Sequence, residues 1–82
     1  MTQAEVIGRM QKIFDEILLT PVTLTPELSA NDVEEWDSLL QISITVVVES
    51  EFKVRFRVGE VEATRNVGEF ADLVVRRAGE KA

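Results

Sequence analysis

Apolar residues recur near the start of the chain at the spacing of a single helix face: Val6, Met10, Ile13, Phe14, Ile17 and Leu18. Thr2 and Glu5 stand at capping-box spacing, in which hydroxyl and carboxylate each satisfy an orphan backbone N–H. The pattern predicts a helix over residues 2–18, with Gly8 costing about 1 kcal/mol against alanine near its start. The periodicity then stops. Pro21 and Pro26 forbid an uninterrupted helix from 19 to 36. Thr20, Thr23, Thr25, Ser29 and Asn31 offer local side-chain bonds to the backbone. Val22, Leu24, Leu28, Val33 and Trp36 are too apolar for a free linker. The stretch is expected to be a structured loop lying on the bundle, with one short helical turn near 26–28.

Residues 38–52 carry two competing signals. Ile42, Ile44, Thr45, Val46, Val47 and Val48 are β-branched and partly alternate with polar residues, which by propensity reads as a strand. The length argues for a helix, because so many residues without a turn signal exceed a typical strand. Leu39, Ile42, Val46 and Glu49 fit helical spacing, and Asp37 or Ser38 is a good N-cap. A helix is therefore expected, apolar on most sides. It should be the central one, buried by the others and exposing a single strip.

Lys53, Val54, Arg55, Phe56 and Arg57 alternate charge and hydrophobe, as a short extended link does. A short helix is expected over 58–64 with Val61 facing inward. Asn66 and Glu69 have capping-box spacing before a last helix whose face is Val67, Phe70, Ala71, Leu73, Val74 and Ala78. Arg76, Arg77 and Lys81 fall near its C-terminus, where cations complement the macrodipole, and Gly79 helps to end it. Phe14, Phe52, Phe56 and Phe70 are assigned to the core. The expected architecture is all-α: a small four-helix bundle, three principal helices plus one short one, with a long structured loop between the first two.

Composition narrows what such a bundle can do. The chain has 82 residues, enough for a single domain (1–82) with a small core. It contains no cysteine, so there is no disulfide framework and any thiol must come from an attached group. It contains no histidine, which removes Ser-His triads, the commonest general base and most transition-metal sites. No apolar stretch approaches the ~20 residues of a membrane span, and Met1 to Glu5 do not read as a signal peptide. A cytoplasmic protein is expected. The net charge is −6, and no lysine or arginine occurs from Ile13 through Phe52. A one-signed acidic field over that half repels nucleic acid and attracts basic protein patches; it also serves plain solubility.

One stretch suggests chemistry. At Glu35-Trp36-Asp37-Ser38-Leu39-Leu40 an acidic, turn-rich segment gives way to the apolar run. Ser38 has three possible fates. It can be a helix cap, the commonest fate of Asp-Ser before a helix. It can be a nucleophile, but no histidine exists to take its proton and the glycines of a nucleophile elbow are missing. It can be modified by another enzyme, since a phosphodiester at a helix N-terminus meets backbone N–H groups and a favourable dipole. Trp36 reads as a packed loop anchor. Glu34, Glu35 and Asp37 lack the ladder and glycine of a calcium loop and read as a solvated acidic edge. Lys53, Arg55 and Arg57 read the same way, with a bound phosphate or a partner's acid as the other option.

Asp37-Ser38-Leu39, followed by an apolar helix ending Glu49-Ser50-Glu51-Phe52, resembles the acyl carrier protein family. The order of elements extends the resemblance from Thr2 to about Val75. It implies that Ser38 receives 4′-phosphopantetheine from coenzyme A through a phosphopantetheinyl transferase. The arm's thiol would then carry an acyl or aminoacyl group as a thioester, so that the domain is a carrier rather than an enzyme. The resemblance further implies a monomer that docks on acyl-activating, acyltransferase or ketosynthase-type enzymes with basic patches. By position Asp37, Leu39, Glu49 and Glu51 match docking residues, and Val46 and Val61 lie beside the acyl chain or at the docking strip. Trp36 resembles specialised members serving polyketides, unusual lipids or aminoacyl groups. The chain departs from the fatty-acid pattern at Leu40, Ser43 and Ser50, where acids are frequent, and at Lys53, Arg55, Arg57 and Val58; Glu60 and Glu62 are kept. Docking should therefore be less purely electrostatic. The alternative is a non-enzymatic acidic helical interaction module in which Ser38 is only a cap.

Overall fold

Thr2 begins the structure as its spacing predicts. In the computed structural model, which describes residues 1–57 and 59–81, Thr2 is the N-cap of α1 (Gln3–Ile17), and Glu5 completes the capping box. Val6, Met10, Ile13 and Phe14 are buried along one face. Two further α-helices follow, α2 (Ser38–Phe52) and α3 (Val67–Lys81), with a 3-10 helix at Ala30–Asp32. The described residues contain no strand. The all-α architecture is as expected, and the β-branched stretch 38–52 is helical.

Two features make α2 a helix against propensity, a cap and a row of core residues. Asp37 caps its first turn. The Thr45 hydroxyl donates back to the Gln41 carbonyl at 2.8 Å, which satisfies the hydroxyl within the helix without adding to helical stability. Ile44, Val48 and Phe52 recur every fourth residue and are buried in the core. Lys53 ends the helix in the left-handed conformation, φ 56°, with its backbone N–H donating to the Glu49 carbonyl.

The expectation that this helix is the central, mostly buried one is overturned. Only that single row of α2 is buried, while Leu39, Ile42, Val46 and Val47 are exposed by 72%, 61%, 59% and 39%. The most thoroughly buried helix is α3, through Val67, Phe70, Ala71, Leu73 and Val74. It packs on α1 more extensively than α2 does. Uniform apolarity marked α2 as able to be buried on any side, but only one side meets neighbours.

The loop from 19 to 37 is structured, as its apolar anchors require. The Gln11 side chain bridges it, donating to the Val22 carbonyl at 2.7 Å and accepting from the Leu24 N–H at 2.8 Å. Further along, the carbonyls of Leu28 and Pro26 accept from the Val67 and Gly68 N–H groups at 2.8 and 2.9 Å. The loop thereby satisfies orphan donors at the start of α3. Its 3-10 helix falls at Ala30–Asp32, whereas the stretch near 26–28 forms only a turn.

The expected short helix over 58–64 is also corrected. Its first residue, Val58, lies outside the described residues, and 59–63 form turns, with the Ala63 N–H donating to the Gly59 carbonyl at 3.1 Å. Val61 faces inward as predicted and is buried. At the next helix start, the Asn66 side chain accepts from the Glu69 N–H, but Glu69 reaches the Arg65 N–H, one residue short of a true capping box.

Candidate functional site

The start of α2 decides what Ser38 can do. Asp37 has extended backbone geometry, and its carboxylate accepts the Leu40 N–H at 2.8 Å. Asp37 is therefore the cap, and Ser38 is the first residue of the helix. Of the two candidate caps, Asp37 and Ser38, it is Asp37 that caps the helix. Ser38 is exposed, and it sits at the positive end of the helix dipole, where a tethered phosphate is favoured. Asp37 beside it is exposed and solvated.

A cleft of about 690 Å³ opens at Ser38, within the ~300–1,000 Å³ range of small-molecule sites. One wall is α2, through Gln41, Ile42, Thr45 and Val46; the other is the 59–66 turn, through Val61, Thr64 and Arg65. Trp36 lines the cleft as well. Its ring meets Phe14 edge-on at 5.1 Å, confirming it as a packed anchor, and its indole N–H donates to Gln41 Oε1 at 2.7 Å. Gln41 Nε2 in turn donates to Thr45 Oγ1 at 3.2 Å.

The residues matched to docking or acyl-chain positions separate into groups. Asp37, Ser38, Val46 and Val61 line the one cleft, with Val46 at its exposed edge and Val61 in its buried wall. Leu39 belongs to the exposed apolar strip of α2. Glu49 is engaged elsewhere: its carboxylate accepts the Phe56 N–H at 2.9 Å and so helps to close the turn after α2. Glu51 pairs with Arg9 at 2.6 Å, and the Arg9 guanidinium lies 4.4 Å above the Phe52 ring.

Glu34, Glu35 and Asp37 do not converge. Glu35 accepts from the N–H groups of Leu19 and Thr20, at 3.0 and 2.8 Å, tying the loop's two ends together. Those backbone donors, Leu19 first, hold its carboxyl below the usual carboxylate range. Residue types alone did not single out Gln41, Thr45, Thr64 and Arg65 as cleft residues. The signal for the first two was present, since positions 41 and 45 follow Ser38 at helical spacings of three and seven.

Among the described residues no helix is long and apolar enough to cross a membrane. No family model matches the chain, and no curated protein matches it. Among solved structures it is similar to the holo acyl carrier protein from Geobacter metallireducens, determined by solution NMR. The two are 35% identical, with a TM-score of 0.84 over 93% of this chain and 88% of that one. The order of elements, Ser38 lining a cleft at the Asp37-capped start of α2 and this likeness agree: the chain belongs to the acyl carrier protein family.

Proposed function

We propose that this chain carries acyl or aminoacyl groups as thioesters on a 4′-phosphopantetheine arm attached to Ser38, and presents them to enzymes of fatty acid, polyketide or specialised lipid synthesis. The observation that carries the reading is the placement of Ser38: exposed, first in α2, with the capping task taken by Asp37. Its hydroxyl is thus not committed to holding the helix together. The similar Geobacter protein is a holo acyl carrier protein, which supports the same attachment here. The arm, when bound, supplies the thiol that this cysteine-free chain lacks. The chain's own residues position it: Asp37 fixes the first turn, the helix dipole favours the phosphate, and the cleft offers a wall to lie against.

The protein acts as a cytoplasmic monomer and as a substrate of a phosphopantetheinyl transferase, not as a catalyst. Leu39 and Val46, exposed on α2, form the apolar part of its docking face, and Asp37 adds charge at one end. Val61 serves the cleft rather than the face. Glu49 and Glu51 contribute charge while bonded to Phe56 and Arg9. Partners are acyl-activating, acyltransferase or ketosynthase-type enzymes whose docking patches combine basic and apolar residues.

The test is incubation with coenzyme A and a promiscuous phosphopantetheinyl transferase. The expected result is a mass gain of one arm that Ser38→Ala abolishes. No gain, or a gain that survives the substitution, overturns the reading.

A further inference from the structure

The charge of the chain changes sign at the C-terminal end of α2. No lysine or arginine occurs from 13 to 52, and then Lys53, Arg55 and Arg57 follow within five residues. Val54 is buried and Phe56 half-buried, while the three bases are exposed. That alternation is the pattern of an extended segment, in which alternate residues stand about 7 Å apart. The acids that adjoin this edge in the sequence are bonded to other groups. Glu49 accepts the Phe56 N–H, Glu51 pairs with Arg9, and Glu60 pairs with Arg77 while accepting the Arg57 N–H. Among the described residues no carboxylate forms an ion pair with Arg55 or Arg57.

The basic edge continues the exposed face of α2. Leu39, Ile42, Val46 and Ser50 recur at helical spacing and are exposed, and Lys53, the C-cap, follows in the same row. A recess of about 490 Å³ is lined by Glu49, Ser50, Lys53, Val54 and Arg55, so the end of that row and the start of the link share one surface. Lys53 lies about 22 Å along the helix from Ser38. A phosphate bonded at Ser38 therefore stands at the opposite end and does not meet the edge. Nucleic acid and anionic lipid spread their charge over a wide surface, and would face the acidic half of the molecule as well. A localised group of carboxylates on a protein meets the bases alone.

We propose that Lys53, Arg55 and Arg57 receive an acidic patch of the same enzyme that docks on α2. The docking face is then bipolar. Asp37 meets bases near Ser38, Leu39, Ile42 and Val46 meet apolar residues, and the edge meets carboxylates about 22 Å away. Opposite signs at the two ends fix the direction of docking, because a carrier seated in reverse sets like charges against each other. The edge thereby selects enzymes with a matching acidic patch and turns Ser38 toward their active sites. This inference rests on the docking face proposed for α2.

The test uses the full chain in its own cells, with photoreactive p-benzoylphenylalanine at position 50 or, as a reference, at position 39. Cross-linked protein is identified by mass spectrometry, and the enzyme so identified is purified. The peptide captured at position 50 should be rich in aspartate or glutamate. With the purified enzyme, Arg55→Glu combined with Arg57→Glu should raise KM for the holo carrier about tenfold at low salt, the change that about 1.4 kcal/mol supplies, and leave kcat unchanged. Added salt should shrink the difference. Amide spectra show whether the variant is folded; if it is not, Arg55→Ser alone should raise KM about threefold, half of that free energy. Cross-linking at 39 with none at 50, lipid or nucleic acid captured at 50, a peptide there without acidic residues, or an unchanged KM at low salt each overturns the basic edge and leaves the docking face standing. No cross-link at either position overturns both. Intact mass reports the attachment at Ser38 separately.

Discussion

The Asp37 carboxylate accepts the Leu40 N–H at 2.8 Å, so the cap of α2 is the neighbour of Ser38 and not Ser38. Stability should follow that division. Asp37→Ala should cost about 1 kcal/mol, the usual loss for an N-cap. Ser38→Ala should stay within about 0.5 kcal/mol of the parent, as an exposed substitution away from any special feature does. Urea denaturation of the apo-proteins measures both. A loss at Ser38 equal to that at Asp37 would return the serine to a capping role.

Glu49 and Glu51 sit two residues apart and should behave differently. The Glu49 carboxylate holds the half-buried Phe56 N–H, and bonds to charged groups are worth about 1.5–3 kcal/mol. Glu49→Ala should lose an amount near the lower end of that range. Glu51 pairs with Arg9 at the surface, where both side chains are almost half exposed; Glu51→Ala should change stability by no more than about 0.5 kcal/mol. Denaturation curves separate the two. Docking experiments that reverse charge at Glu49 must therefore be read beside its stability, whereas Glu51 is a clean probe.

Two glycines make an opposed pair. A Cβ on Gly68 would stand 3.0 Å from the Pro26 carbonyl oxygen, 3.1 Å from Pro26 Cβ and 3.2 Å from Gln3 Nε2. The backbone there is held by the loop-to-helix hydrogen bonds and cannot retreat without losing them. Gly68→Ala should destabilise by about 1–3 kcal/mol despite alanine's better helix propensity. Gly8 lies exposed in α1 with nothing within 4 Å of such a Cβ, and Gly8→Ala should stabilise by about 0.5–1 kcal/mol. Thermal melts of both variants check the signs.

Glu35 gives the loop a pH dependence. Its folded carboxyl titrates below the usual range because the Leu19 and Thr20 N–H groups favour the charged form. A lowered folded pKa contributes stability above the unfolded value, near 4.3, and loses it as pH falls through the folded one. Glu35→Gln should therefore melt below the parent at neutral pH, and the gap should close in acid below that range. A gap that persists unchanged at low pH would contradict the role given to the carboxylate.

Much of this was legible in the chain. Thr2 and Glu5 announced α1, and Val6 to Phe14 announced its buried face, because both signals are local. The helicity of 38–52 needed length and a cap to override propensity, and the buried 44–48–52 row shows why that weighting is right. The burial of α2 was misread because hydrophobicity says which residues can be covered, not which sides neighbours reach. Glu49 looked like a surface acid because its partner, the Phe56 N–H, is a backbone group that residue types do not reveal. The same holds for Glu35 with Leu19 and Thr20, and for the carbonyls of Pro26 and Leu28 at α3. The place of Gln41 and Thr45 in the cleft was implicit in their spacing from Ser38. The cleft's opposite wall, Val61 and Thr64, is brought there only by the tertiary fold.

The central claim is that Ser38 bears the arm, and the most direct test is the mass of the corresponding peptide from the protein's own cells. No lysine or arginine interrupts residues 13–52, so trypsin releases 13–53 as one peptide. Fragmentation within it distinguishes Ser38 from Ser29, Ser43 and Ser50. The account predicts a phosphopantetheine mass, with or without an acyl group, localised to Ser38. An unmodified peptide, or the same mass on another residue, would contradict it.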